Sequence, residues 1–315
     1  MGPTVSETRS PRSLSRKDGP CGAPWSSGLG AASCRPARSR RRGWHTTPRA
    51  LATGTDEPTI TWVGHSTLLI RVGGVNILTD PHWGDRASPL LFGGPRRFAP
   101  PGVPFDNLPR IDVVLISHDH YDHLDLQTVQ RLAGTHEPLF LAPLGFKAWF
   151  SDHGINRAED LDWWETREYG GIHFTAVPAQ HFCQRTPWDH NRRLWASWAI
   201  RGGGRRLYFG GDTGYFRGFA EAGARFGPFD LAAIAISAYT PRDVMRPNHT
   251  NPEEAVRAAA DLQSRVVLGI HWGTFDLADE PPDEPPRRFQ AEAARRRLGL
   301  QRETCMKEPC STKFV

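Results

Sequence analysis

The sequence predicts an α/β fold of two sheets with helices packed outside them. Two features of the order of elements carry this. Apolar strand-like runs come first by themselves, and from residue 111 onward strands and helices are mixed, an order that suits a sheet pair with outer helices. Several of these runs are followed at once by a histidine or aspartate, as expected where neighbouring strand ends gather at one edge. The 315 residues leave room for one or two domains with a large core. No stretch approaches the ~18 to 20 uninterrupted apolar residues that cross a bilayer.

Residues 1–55 are rich in Arg, Ser, Gly, Ala and Pro without apolar periodicity, and are expected to form a disordered extension. Their Arg- and Ser-rich, acid-poor composition resembles an organelle transit peptide, with Arg41-Arg42-Gly43-Trp44 ahead of a cleavage point; an extension without an address is the other reading. A mitochondrial, otherwise intracellular or peripheral-membrane location depends on which of the two holds. This segment carries nine Arg and one Lys against Glu7 and Asp18, so it is net +8, and the rest of the chain is −3 within a total of +5. The basic character therefore belongs to the extension, and the body has no charge pattern of a nucleic-acid binder.

The folded domain is expected over 56–302, with an irregular tail over 303–315. Ile60–Val63 and Ser66–Val72 read as strands around a Gly64-His65 turn, and Gly73-Gly74 as the hairpin into Val75–Thr79, which Asp80-Pro81 ends. The Gly-, Pro- and Arg-rich stretch 84–110 reads as a long loop. Ile111–Ile116 is a buried strand, Leu124–Leu132 a helix, Leu139–Ala142 a strand and Gly145–Phe150 a helix. Ile172–Val177, Leu194–Ile200 and Arg206–Phe209 are strands, Tyr215–Phe226 a helix and Leu231–Ile236 a strand. Asn251-Pro252-Glu253-Glu254 combines an N-cap, a first-position proline and a capping-box glutamate, and starts a helix running to Leu262. Val266–Ile270 is the last strand.

Five cysteines show no disulfide spacing: Cys21 and Cys34 precede the domain, Cys305 and Cys310 come after it, and Cys183 fits burial, which favours a reducing compartment. Of the tryptophans at 163, 164, 188, 195 and 198, most suit the core better than a lipid channel.

The most loaded segment is His118-Asp119-His120-Tyr121-Asp122-His123, one serine after an apolar run. Imidazole and carboxylate are ligands for a borderline-soft divalent ion and bind it at neutral pH without unusual tuning. In an extended segment His118, His120 and Asp122 would face one side and His123 the other, so one loop could serve two adjacent ions. His181, Asp212 and His271 each lie just past an apolar run, and glycines around Asp212 let backbone approach closely. His65 and Asp80 read as strand-end residues or hydrogen-bond partners of ligands. His249 lies just ahead of the capped helix, whose N-terminus favours anions, and is expected to hold a substrate phosphate.

His-x-His-x-Asp-His, the later His181, Gly211-Asp212-Thr213 and His271 together resemble the metallo-β-lactamase superfamily. The resemblance implies a four-layer αβ/βα sandwich with a dinuclear centre: His118, His120 and His181 at one ion, Asp122, His123 and His271 at the other, Asp212 bridging, and no ligand role for Asp119. Arg86-Ala87-Ser88-Pro89, Gly94-Pro95-Arg96-Arg97-Phe98, Leu161-Asp162-Trp163-Trp164-Glu165 and Gln180-His181-Phe182-Cys183 narrow it. So do Gly211-Asp212-Thr213-Gly214-Tyr215, the run Arg225 to Ile234, Asn251 to Val256, and Ile270-His271-Trp272-Gly273-Thr274-Phe275. These resemble the N-acyl-phosphatidylethanolamine-hydrolysing phospholipase D family over residues 59–300. That family usually continues into a final strand which this chain is expected to lack.

The resemblance implies a phosphodiesterase with two Zn²⁺ per chain. A metal-bridging hydroxide would cleave N-acyl-phosphatidylethanolamine to N-acylethanolamine and phosphatidic acid, a step in N-acylethanolamine biosynthesis, with Asp212 and His249 the catalytic side chains. It implies a phospholipid substrate, contact with a membrane surface and no nucleic-acid partner, and is compatible with a homodimer. A lactonase or other small-ester hydrolase with the same ligands, and a metal-binding protein without turnover, are the alternatives.

Overall fold

The computed structural model describes residues 58–90, 92–297, 299–300 and 311–313. The expectations for residues 1–55 and for the four cysteines outside the domain fall outside these residues.

Two seven-stranded mixed sheets lie face to face. In the first, β1 (Thr59–Gly64), β2 (Thr67–Val72) and β3 (Val75–Thr79) form an antiparallel meander, to which β4 (Val113–Leu115), β5 (Leu139–Pro143) and β6 (Ala158–Leu161) add in parallel. The second repeats the plan. Here β7 (Thr166–Tyr169), β8 (Ile172–Val177), β9 (Ser197–Gly202) and β10 (Arg205–Phe209) are antiparallel, and β11 (Leu231–Ala235), β12 (Val266–Ile270) and β13 (Gly299–Leu300) continue in parallel.

Alternation along the strands builds three apolar layers. Leu68, Ile70 and Val72 of β2, Val113 and Leu115 of β4, and Leu231 and Ala233 of β11 enter the core between the sheets. Leu69, Leu78 and Val114 face outward onto α1 (Leu126–Thr135) and α2 (Phe146–Asp152) through Val129, Leu132, Phe146 and Phe150. Ala232 and Ile234 face α3 (Gly218–Phe226), α5 (Pro252–Asp261) and α6 (Glu284–Arg296) through Phe219, Val256, Leu262 and Phe289. The four-layer αβ/βα sandwich expected from the sequence is thus the observed architecture. Trp198 is fully buried between the sheets, and its indole Nε1 donates to the Ile116 carbonyl at 3.0 Å, directly ahead of the histidine-rich loop.

The strand directions position the site. β1, β3 and β4 run one way in the first sheet, and β8, β10, β11 and β12 run alike in the second. The segments leaving their C-terminal ends carry His65, Asp80, His118–His123, His181, Asp212 and His271. The predicted helix start at Asn251 is observed with its full capping box: Asn251 Oδ1 accepts from Glu254 N at 2.8 Å, and Glu254 accepts from Asn251 N.

Several expectations need correction. The tail over 303–315 is not irregular throughout: β14 (Ser311–Lys313) pairs antiparallel with β1, with Ile60 opposite Thr312. Without it, the outer backbone groups of β1 would be an unpaired sheet edge. The strand expected at Leu194–Ile200 is Ser197–Gly202, because Leu194 bonds Leu144 and Ala196 bonds Ser117 before the ladder with β8 begins. The long loop 84–110 holds a 3₁₀ turn at Phe105–Asn107. The helix expected from Tyr215 starts at Gly218. Trp188 is 82% exposed and is no core residue, whereas Trp198 is.

Candidate metal centre

The loop after β4 does not stay extended. His123 N and Leu124 N both bond the His120 carbonyl, at 3.0 and 2.9 Å, so Tyr121–His123 form a turn. Alternation is broken there, and Asp122 swings away from His118 and His120 to the side of His123. The two-residue spacing therefore does not set the facing of Asp122, and the inward atoms fall into two groups.

In the first group, His120 Nδ1 lies 3.0 Å from His118 Nε2 and 3.2 Å from His181 Nε2. In the second, Asp122 Oδ2 lies 3.3 Å from His123 Nε2 and 3.2 Å from His271 Nε2. Asp212 Oδ2 stands between the groups, 4.0 Å from His118 Nε2, 3.2 Å from His123 Nε2 and 3.0 Å from His271 Nε2. The seven residues singled out from sequence therefore meet in one buried place, as two triads sharing a carboxylate. Asp119 points elsewhere and accepts from Arg193 Nε at 2.7 Å.

The outer nitrogens explain why the inner ones are free. His118 Nδ1 donates to Ser117 Oγ at 2.9 Å, and that hydroxyl donates to Asp80 Oδ2 at 2.6 Å. His123 Nδ1 donates to Asp80 Oδ2 at 2.7 Å, His181 Nδ1 to the Asn248 carbonyl at 3.0 Å, and His271 Nδ1 to Ser237 Oγ at 3.3 Å. A donor used outward leaves the Nε2 lone pair for an ion. Inward, Asp212 Oδ1 and His123 Nε2 are buried without a hydrogen-bond partner. Such orphans are costly unless something binds them, and a pair of divalent cations fits this donor set of five imidazoles and two carboxylates.

Local backbone makes the convergence feasible. Gly211, at φ +56°, precedes Asp212, and a Cβ there would stand 2.5 Å from the Ser117 Cβ. A Cβ on Gly214 would stand 2.3 Å from the Pro247 carbonyl oxygen, so the glycine admits the segment that carries His249. His65, Asp80 and His271 also have positive φ, at 52°, 35° and 69°, and conformations this strained concentrate at functional sites.

The charges balance internally. Burial opposes the ionised forms of Asp122 and Asp212, yet His123, with His271, holds both carboxyls well below their usual range. Burial likewise opposes a charged His271, but Asp212 and Asp122 outweigh it and raise its pKa from 6.5 to about 9. In the metal-free protein a proton thus fills part of the role of an ion. The stability that a raised histidine pKa confers is complete below the unfolded value and is lost as pH rises through about 9. The metal-free protein is expected to lose melting temperature between about pH 7 and pH 9.5, while protein loaded with a divalent ion, which would replace the proton, holds its melting temperature there. Scanning fluorimetry of both forms checks this.

Arg185 has no sequence signal beyond its place in a polar loop. It spans the ligand loop: Nη1 donates to the carbonyls of Asp119 (2.6 Å) and Leu124 (2.9 Å), and its guanidinium lies 4.0 Å from the Tyr121 ring centroid. Cys183 is buried and its thiol is raised by that burial, so it is no nucleophile. His249 is partly buried, its Nδ1 is shielded from solvent 3.7 Å from Asp212 Oδ2, and that nitrogen has no hydrogen-bond partner. Burial lowers its pKa to about 4, so it is neutral at pH 7.

A sandwich with such an edge defines a metal-centre scaffold, and comparison with known proteins agrees. Residues 75–272 match the Beta-lactamase superfamily domain, and the chain belongs to that family, with the metallo-β-lactamase fold. A Caenorhabditis elegans protein named N-acyl-phosphatidylethanolamine-hydrolyzing phospholipase D 1 is 44% identical over 228 residues, 69% of this chain and 64% of that protein. A Saccharomyces cerevisiae protein named N-acyl-phosphatidylethanolamine-hydrolyzing phospholipase D, mitochondrial, is 35% identical over 237 residues, 73% of this chain and 50% of that protein. The chain thus spans less than two thirds of the length of either relative. The solved structure of Igni18, a metallo hydrolase from Ignicoccus hospitalis, shares the fold at a TM-score of 0.61 and 20% identity, over 82% of this chain and 99% of that one.

Proposed function

We propose that this chain is a zinc-dependent phosphodiesterase of phospholipase D type, hydrolysing N-acyl-phosphatidylethanolamine to N-acylethanolamine and phosphatidic acid. The observation that carries the reading is Asp212 set between two ligand triads, in a chain 44% identical to a protein named for that hydrolysis. Two zinc ions bound there would supply a water nucleophile at neutral pH and offset the charge of the phosphodiester. His118, His120 and His181 would hold one, Asp122, His123 and His271 the other, and Asp212 both.

His249 supplies a neutral imidazole beside Asp212, suited to hydrogen-bond a phosphate oxygen without adding a charge. Replacing it with glutamine is expected to lower kcat/KM by about 100-fold with zinc content unchanged; unchanged kcat/KM would remove His249 from the reaction.

The rim favours a lipid surface over a small ester in solution. Five large apolar side chains stand exposed among the described residues: Leu90, Phe92, Leu144, Trp188 and Val244. Each sits on a segment tied to the centre. The 84–98 loop reaches the ligand loop through Gly84 N, which donates to Asp125, and through Arg97, which donates to the carbonyl of His82, whose Nε2 bonds the Tyr121 carbonyl. The 184–193 loop joins it through Arg185, and Leu144 accepts from Leu194 N at the end of that loop. Val244 lies in α4 (Arg242–Met245), whose Arg242 donates to the His249 carbonyl at 2.8 Å. Segments 84–98, 184–193 and 242–249 carry eight arginines; Arg97, Arg185, Arg193 and Arg242 bond groups inside the protein, and Arg96, Arg192 and Arg246 stand exposed. Apolar side chains among arginines match an anionic interface. Replacing Phe92 and Trp188 together by serine is expected to weaken sedimentation with phosphatidylglycerol-containing vesicles by at least about tenfold, with zinc content unaltered.

The test of the substrate is a panel of N-acyl-phosphatidylethanolamine, a soluble phosphodiester and a sugar lactone phosphate, assayed with zinc-loaded protein. Release of N-acylethanolamine and phosphatidic acid supports the reading; turnover confined to the soluble esters would replace it with a small-ester hydrolase.

A further inference from the structure

His65 is fully buried, in the turn between β1 and β2, far in sequence from every ligand it touches. Its Nε2 lies 2.9 Å from Asp122 Oδ2. An ionised carboxylate only accepts, so His65 is the donor. The backbone of the same residue holds a second ligand: its carbonyl accepts from His271 N at 2.9 Å, and the two rings lie 4.1 Å apart. His65 is itself pinned. Its N–H donates to Thr274 Oγ1 at 2.8 Å, Trp62 Nε1 donates to its carbonyl at 2.8 Å, and the ring meets Phe275 edge-on. These bonds hold the residue at φ +52°, a conformation a non-glycine residue adopts only when its surroundings impose it. Asp122 and His271 come from opposite sheets, and among the described residues His65 bonds both. It makes no hydrogen bond to His118, His120 or His181.

We propose that His65 is a positioning residue for one of the two ions only. It fixes the Asp122 carboxylate through Nε2–H and the His271 backbone through its carbonyl, and so sets the geometry of the Asp122–His123–His271 triad without ligating the ion itself. The inference rests on the dinuclear reading of the centre. Nε2 is the His65 nitrogen that faces Asp122; to ligate the ion held by that carboxylate it would have to offer its lone pair there and give up the donation, whereas Nδ1, the other ring nitrogen, is buried without a hydrogen-bond partner.

The experiment titrates chelator-stripped, full-length protein with Zn²⁺ alone, against a chromophoric chelator, for wild type, His65→Gln and His65→Ala. Glutamine keeps an N–H near the position of Nε2; alanine removes it. In His65→Ala one of the two zinc ions is expected to lose about 10- to 100-fold in affinity while the other keeps the wild-type value. In His65→Gln that zinc is expected to stay within about threefold of wild type, and both variants are expected to bind two ions at saturation. Loss of one zinc at saturation in His65→Gln would make His65 a ligand and overturn the proposal. Equal weakening of both ions in His65→Ala, or wild-type affinity in both variants, would overturn it as well. If wild type itself takes fewer than two zinc ions, the dinuclear reading fails and this inference with it, an outcome recognisable before any variant is compared. Should His65→Ala fail to fold, His65→Gln still decides between partner and ligand.

Discussion

Asp212→Asn is expected to cut hydrolysis by about 1,000-fold or more and to weaken zinc at both positions. Asp212 presents an oxygen to the inward nitrogens of both triads, 4.0 Å from His118 Nε2 and 3.2 Å or less from His123 and His271 Nε2. Asparagine keeps the volume and removes the charge that faces those three imidazoles. Zinc titration and turnover of the same preparation check both halves. Wild-type zinc affinity in Asp212→Asn would separate the carboxylate from metal binding. Retained turnover would remove it from catalysis.

Asp80→Ala is expected to be the most destabilising change at the centre, by about 3 kcal/mol in urea unfolding. Asp80 is buried and accepts three bonds: Ser117 N at 2.7 Å, Ser117 Oγ at 2.6 Å and His123 Nδ1 at 2.7 Å. Burial raises the pKa of its carboxyl, against the opposing pull of His123 and Ser117. Truncation strands three donors in the interior, and a loss of this size is a large share of the ~5 to 15 kcal/mol that holds a domain together. It also frees His118 through Ser117, and His123 directly, so weaker zinc binding accompanies the loss. A change below about 1 kcal/mol would mean that water or a neighbour satisfies those groups.

The convergence of the seven candidate ligands was readable because each comes just after an apolar run, and neighbouring β strands deliver the residues at their C-terminal ends to a common edge. What sequence spacing misjudged was Asp122, since a period-two pattern assumes an extended chain and Tyr121–His123 turn. Elements with weak apolar signals escaped too. β6 reads Ala-Glu-Asp-Leu and β7 Thr-Arg-Glu-Tyr, and polar side chains are common where a strand ends a sheet. α6 begins Glu284-Pro285-Pro286, which reads as loop although prolines are accommodated in a first turn, and its apolar face is reduced to residues such as Phe289 and Ala293 among arginines. The pairing of β14 with β1 joins distant parts of the chain and leaves no local pattern. The roles of Arg185 and His65 depend on contacts that only tertiary structure creates: a lone arginine in a polar loop and a histidine in a turn look the same whether or not they grip a ligand.

The most direct test is zinc content and lipid turnover measured on one preparation of the full chain, before chelation, after it, and after zinc is restored. The expected result is about two zinc ions per chain, release of N-acylethanolamine from N-acyl-phosphatidylethanolamine, loss of that release on chelation and its return with zinc. Turnover that persists at full rate in the stripped protein, or two bound ions with no release of N-acylethanolamine, would contradict it.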